Sequence, residues 1–393
     1  MMLDAARRLV TPSARSDVPP FMVMDVVAAA ARIEAAGGRV LHMEIGQPAA
    51  APPGTAIQAA RAALDGRPLG YTETLGIASL RRRIARHYAD TYGVDLPADR
   101  IVVTTGSSAG FILAFLAMFE PGDRVAVASP GYPPYRHILT ALGCEPVMIE
   151  TGADTRFVLT GERLRETHAK TPLAGVLVAS PANPTGTMMT PQALAELIGT
   201  AEGLGIRVIS DEIYHGLDHA VPAETAARLS DCAVVINSFS KYFCMTGWRV
   251  GWMVVPDALV RPVERLQQNL AISVPTLSQI AAEGAFDGRE EMETVKRGYA
   301  TNRAILLESL PRIGIDAILP ADGAFYLYAD MSRFTDDSLS FCKRMLEEAG
   351  VAATPGVDFD PVHGRAFVRF SYAGSEADMR EAVERLGGWI QRL

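Results

Sequence analysis

The stretch V-V-I-N-S-F-S-K-Y-F-C-M-T-G-W-R-V-G-W, from Val234 to Trp252, reads as a buried β-strand, a polar turn holding Lys241, and a Gly-Trp-Arg step into a second strand. Of the 37 lysines and arginines in the chain, only Lys170, Lys241, Lys296 and Lys343 are lysine. Three of these sit in polar surface contexts (T-H-A-K-T-P, E-T-V-K-R and C-K-R-M). Where arginine carries nearly all the positive charge, a lysine beside a strand end needs its own reason. An amine that can lose its proton and form an imine is something arginine cannot supply.

Outward from that turn, short apolar runs alternate with helical stretches. The strand candidates are 101–105, 124–129, 175–180, 207–211, 233–238 and 250–255. Strands separated by helices of ten to twenty residues predict an α/β fold, a largely parallel sheet with helices on both faces. Before it, Phe21–Ala36 reads as a helix closed by Gly37-Gly38, followed by V-L-H-M-E-I-G-Q-P, a short strand with a turn at Gly46–Pro48. Helical stretches run from Pro256 to Leu310, interrupted at Pro275. Then F-Y-L-Y-A-D, a helix at Ser338–Ala349, V-R-F-S-Y and a terminal amphipathic helix predict a smaller α+β unit, against which the first helix is expected to pack.

The 393 residues suit two domains, or one large domain with a satellite. A net charge of −8 gives no general attraction to nucleic acid or anionic membrane. The run Arg81-Arg82-Arg83 is expected on the solvated face of a helix. Cys144, Cys232, Cys244 and Cys342 lie far apart with no metal-like spacing and read as reduced intracellular thiols. Near the N-terminus, Asp4, Arg7 and Arg8 are followed by T-P-S-A-R-S-D rather than an apolar stretch of signal-peptide length. The longest apolar run, Phe111–Phe119, is about half of what a membrane span requires. A cytoplasmic protein is expected.

The polar residues fall where ligands bind in open α/β sheets, outside the carboxyl ends of the strands. After strand 101–105, Gly106, Ser107 and Ser108 open an apolar helix, whose free amides and hydroxyls form an anion site, although serine is also an ordinary N-cap. After strand 175–180, S-P-A-N-P-T-G places Asn183 between two prolines, in a turn that either aims its amide at a ligand or is a plain loop. Asp211 ends strand 207–211 in D-E-I-Y, with Tyr214 three residues on. A carboxylate there is costly unless a cation or several donors meet it; the plainer reading is a helix cap. Ser238 and Arg249 flank Lys241, and Arg369 sits inside the apolar strand F-V-R-F-S-Y, where it wants a bidentate carboxylate or phosphate, or else an internal ion pair. An anion site, an acid, a phenol, an amide, a reactive amine and a second arginine suit one cofactor, pyridoxal 5'-phosphate.

On these motifs, S-P-A-N-P-T-G, D-E-I-Y and S-F-S-K-x-F-x-M-T-G-W-R-x-G in order and spacing, the chain resembles the class I/II aminotransferases, the fold-type I pyridoxal-phosphate enzymes. G-Q-P at 46–48, Tyr71-Thr72, E-P-G-D at 120–123, P-G-Y-P-P-Y at 130–135, G-A-F-Y at 323–326 and V-R-F-S at 368–371 extend the resemblance from about Pro20 to the end. It implies a large cofactor-binding domain over 46–285, with a mostly parallel mixed sheet, and a small domain built from 1–45 and 286–393. It implies further that Lys241 forms the Schiff base and moves the proton, and that Asp211 pairs with the pyridinium nitrogen. Tyr214 and Asn183 would bond the ring's 3-oxygen, while Tyr132 would stack on the ring. Ser107, Ser108, Ser238 and Arg249 would hold the phosphate, and Tyr71 would reach it from the neighbouring subunit of a homodimer. Arg369 would bind the substrate α-carboxylate beside the backbone of Gly46.

Aspartate-specific relatives use an additional cation, and none is evident in this sequence. Phe21, Met22, Phe325 and Tyr326, expected to face the substrate side chain, are apolar or aromatic. A neutral or hydrophobic amino donor with a 2-oxo acid acceptor is therefore expected. His42, His137 and His215 read as structural, because the lysine already supplies the base. Two other readings compete: a C–S β-lyase using the same residues, and an aminotransferase-like effector domain of a transcription regulator. Against the second, only about twenty residues precede the matching region, too few for a DNA-binding domain.

Overall fold

The computed structural model describes residues 10–66 and 68–393; Asp4, Arg7 and Arg8 lie outside the described residues. Its strands are β1 (Leu41–His42), β2 (Ile101–Thr104), β3 (Arg124–Ser129), β4 (Glu145–Glu150), β5 (Gly175–Ala179), β6 (Arg207–Asp211), β7 (Val234–Ser238), β8 (Gly251–Val254), β9 (Tyr326–Asp330), β10 (Val351–Ala352), β11 (Thr354–Pro355) and β12 (Phe367–Ser371). Seven form one sheet in the order β2-β8-β7-β6-β5-β3-β4. Only β8 runs against its neighbours β2 and β7; the other pairings are parallel. The carboxyl ends of β2, β5, β6 and β7 therefore share one edge.

Residues alternate between the two faces of this sheet with a period of two. Ile101, Val103, Val176, Val178, Trp252 and Val254 enter one apolar cluster, while Val102, Leu177, Ile209, Ile236 and Met253 enter another. Both faces are covered, so these strands read as continuous apolar runs rather than alternating ones. A third cluster surrounds the three-stranded sheet β11-β12-β9 and includes Leu327, Phe370 and Trp389. The first helix, α1 (Met22–Ala35), packs against β10 and β11, as expected.

Two local expectations need correction. Strand β4 was not anticipated: it lies at the sheet edge, begins Glu145-Pro146 and is half exposed, the pattern of an edge strand rather than a core one. The arginine run is not a solvated face throughout. Arg82 is exposed, but Arg81 is buried, donating to the carbonyls of Ile101 (3.0 Å) and Ala98 (2.8 Å). Arg83 lies 4.5 Å over the Phe286 ring. Carbonyls left free at a strand start and an aromatic face give these guanidinium groups better partners than water. All four cysteines are free, and among the described residues no helix is long and apolar enough to cross a membrane.

Candidate active site

Lys241 lies just past β7 in a cavity of about 170 Å³. Its Nζ donates to the carbonyl of Gly46 at 2.5 Å and stands 5.6 Å from the centre of the Tyr214 ring. Burial, then the positive charge of Arg369, lowers its pKa to about 8; Asp211 works against the shift and Arg249 adds to it. A wider cleft of about 260 Å³, lined by His87, His215 and Tyr242, also carries a lysine. That amine, Lys296, is paired with Asp218 at 3.5 Å, whereas Lys241 has no ion-pair partner among the described residues.

Asp211 ends β6 and is buried. One of its oxygens accepts the amide of Ile213 at 3.0 Å, and the other takes a short hydrogen bond from the Tyr135 hydroxyl. Burial raises its pKa to about 6, while these two hydrogen bonds and Lys241 hold it down. Arg369 reaches the cavity from β12 and is fully buried. It donates to Asn183 Oδ1 (2.8 Å), Thr354 Oγ1 (3.1 Å) and the carbonyl of Glu44, and lies 4.3 Å above the Tyr326 ring. Its Nε has no partner, and no carboxylate among the described residues pairs with it, so the internal-ion-pair reading does not hold. A buried guanidinium with only neutral partners is costly to keep and is suited to receive an anion.

At the opposite side, Ser107 and Ser108 open α2 (Gly106–Met118), with Gly106 at φ +71°. A Cβ on Gly106 would meet Arg249 Nη2 at 2.4 Å, so glycine is what lets the arginine lie across the helix start. Gly46 shows the same closeness at the other end, where a Cβ would meet the Tyr326 hydroxyl at 2.0 Å. Tyr132 precedes α3 (Pro133–Leu142) and meets Phe21 edge to face at 5.7 Å. The Tyr214 and Tyr326 hydroxyls share a hydrogen bond of 2.7 Å, and burial raises both phenols, which remain protonated.

Lys241, Tyr214, Tyr132, Asn183, Ser107, Ser108, Arg249, Arg369 and Gly46 thus line one cavity, with Asp211 held behind it by Tyr135. Ser238 does not line this cavity; its Oγ bonds Ser240 Oγ at 2.9 Å, and it is Ser240 that faces in. Tyr71 lies outside it and is 83% exposed. Among the expected side-chain neighbours, Phe21 and Tyr326 are present, while Met22 and Phe325 are replaced by Val23, Met24, Ile45 and Ile213. Tyr135 and Ser240 were missed by sequence reasoning. The first lies one helical turn past Tyr132 in P-G-Y-P-P-Y, and that spacing was the available signal.

The description "Aminotransferase class I and II" matches residues 39–386. A valine–pyruvate aminotransferase of Mycobacterium tuberculosis is 50% identical over 96% of this chain and 97% of its own length. An aspartate/prephenate aminotransferase of Thermus thermophilus is 32% identical over 95% of this chain and 97% of its own. A crystal structure of an aminotransferase from Mycobacterium tuberculosis superposes with a TM-score of 0.95 at 50% identity, covering 98% of this chain and 100% of that one.

The chain belongs to the class I and II aminotransferases. It has their fold-type I architecture, and as a transaminase it acts on small molecules.

Proposed function

We propose that this aminotransferase exchanges the amino group between a neutral aliphatic L-amino acid, valine foremost, and a 2-oxo acid such as pyruvate, with pyridoxal 5'-phosphate tethered to Lys241. The observation that carries this reading is Arg369, a fully buried guanidinium without an acid partner, facing a cavity whose lining includes the apolar side chains of Phe21, Val23, Ile45 and Ile213. With Arg249 proposed for the cofactor phosphate, Arg369 beside apolar side chains fits a substrate carboxylate on an uncharged side chain. The valine–pyruvate relative, at 50% identity, supports the same choice.

The residues present also fit the cofactor. Ser107, Ser108, Ser240 and Arg249 would hold its phosphate at the start of α2, the crowded Gly106–Arg249 contact forming the cradle. When bound, pyridoxal phosphate supplies an aldehyde for an amine and a ring that accepts the electrons released at Cα. Lys241 provides the amine and then carries the proton between donor and acceptor carbons, a role suited to a group titrating near 8. Asp211, fixed by Tyr135, would keep a proton on the ring nitrogen. Tyr214 and Asn183 would donate towards the ring oxygen, and Tyr132 would cover one ring face. Arg369 orients the substrate carboxylate, with Asn183 and the Glu44 carbonyl fixing the guanidinium in turn.

The reading includes a large cofactor-binding domain over 46–285, a small one from 1–45 and 286–393, and a homodimer in which Tyr71 reaches the neighbouring site. A donor panel read by half-reaction spectroscopy tests the whole. Valine and similar aliphatic donors should convert the bound cofactor fastest. Aspartate as the preferred donor, or pyruvate and ammonia released from cystathionine with no acceptor, would replace this reading.

A further inference from the structure

The first turn of α1 has no cap of its own, because Phe21 at its N-cap position makes no side-chain bond to it. Amides in the first turn of a helix have no partner within the helix. Here the partner comes from near the other end of the chain. Asp358, buried in the turn between β11 and β12, accepts the amides of Met22 and Val23, one on each oxygen, at 3.3 Å. A carboxylate at that position also complements the positive end of the helix dipole. The main-chain carbonyl of Asp358 is held in turn by Arg136 of α3 at 2.5 Å.

These bonds join the pieces that surround the substrate end of the cavity. Phe21 and Val23 come from the start of α1, Tyr132 from the head of α3, and Arg369 from the strand that follows Asp358. The edge-to-face contact between Phe21 and Tyr132 completes the connection. The far end of α1 is anchored separately: His42 bridges Glu34, in the last turns of the helix, at 3.1 Å and the buried Glu44 at 2.8 Å. Removing the Asp358 contact therefore loosens the first turn without releasing the whole helix.

We propose that Asp358 is a positioning residue for substrate selection: by capping α1 from across the fold, it fixes Phe21 and Val23 as the wall that receives a branched aliphatic side chain. This rests on the reading of the cavity as the amino-acid site. Two donors that differ only in the side chain share the Arg369 clamp, so the wall shows up in their ratio. Asp358 also lies in the field of Arg369. A change in that field acts on every donor's carboxylate alike and leaves the ratio unmoved.

The test uses the holoenzyme and two variants. Asp358→Ala removes both acceptors. Met22→Pro removes one donor and keeps the Asp358 charge; proline suits the first helical position, and Phe21 already has the extended backbone (φ −86°, ψ 100°) that a residue before proline needs. Hydrogen exchange without substrate should find the Met22 and Val23 amides protected in the parent protein and Val23 exposed in Asp358→Ala. The preference for valine over alanine in kcat/KM should fall about fivefold to tenfold in Asp358→Ala, and about twofold in Met22→Pro, through KM with kcat kept. If Asp358→Ala does not fold, Met22→Pro carries the same readouts. An unchanged preference, an equal loss for both donors, or unprotected amides in the parent protein would overturn the inference alone. No half-reaction with either donor in the parent protein would overturn the site reading, and this inference with it.

Discussion

Burial and the nearby Arg369 lower the Lys241 amine to about 8, which suits the reactive role proposed for it. Lys241→Ala should therefore lower transamination by more than about 10³-fold, and borohydride should no longer trap a cofactor adduct; an adduct at Lys170, Lys296 or Lys343 would move the assignment. Tyr135 offers a subtler test. Its hydroxyl donates to ionised Asp211, and a hydrogen bond to a charged acceptor contributes about 1.5–3 kcal/mol. In Tyr135→Phe, kcat should fall roughly 10- to 100-fold. Losing a donor to the carboxylate raises the Asp211 pKa further above its value of about 6, so the acidic limb of the pH–rate profile should move to higher pH. Lys241 was legible in the sequence because lysine is scarce there. Tyr135 was not: a tyrosine in an aromatic, proline-rich turn looks the same whether it packs or donates. Ser238 and Ser240 show the limit too, since two serines in one turn differ only in which hydroxyl faces the cavity.

Strands and turns were easier to read than the contacts between them. The core strands announced themselves as apolar runs with both faces covered, and the helix at Ser338–Ala349 has the predicted bounds. Strand β4 escaped because an edge strand needs only one covered face and tolerates Glu145-Pro146 at its start. Arg81 misled because its partners, the carbonyls of Ala98 and Ile101, lie just before and at the start of β2, well along the chain from the run itself. The start of α2 carries its own prediction. At φ +71° Gly106 occupies a conformation that costs other residues about 1–2 kcal/mol, and an added methyl would displace Arg249. Gly106→Ala should weaken pyridoxal phosphate binding by at least about tenfold in an absorbance titration, with the fold retained by circular dichroism.

For the assembled protein, two expectations concern association and acidity. Tyr71 is exposed together with Leu69, Leu270 and Ile272, apolar side chains that a second copy would cover. Sedimentation should show a dimer, and Tyr71→Phe should loosen the cofactor; a fully active monomer would contradict both. In cofactor-free protein, burial raises Glu212 to about 8, and the hydrogen bond to Glu44 raises His42 to about 9. Between their ordinary values and these, both groups hold more protons folded than unfolded, so stability is lost as pH rises from about 6.5 to 8. His87 and His215, lowered by burial to about 4, act in the opposite sense and only below about 6.5. The melting temperature should thus fall from pH 6.5 to 8, and Glu212→Gln should flatten that slope. The grip on Arg369 by the Glu44 carbonyl has a consequence during synthesis. Every residue proposed to hold the cofactor precedes Arg369 in the chain, so synthesis supplies the proposed cofactor cradle before the proposed carboxylate clamp.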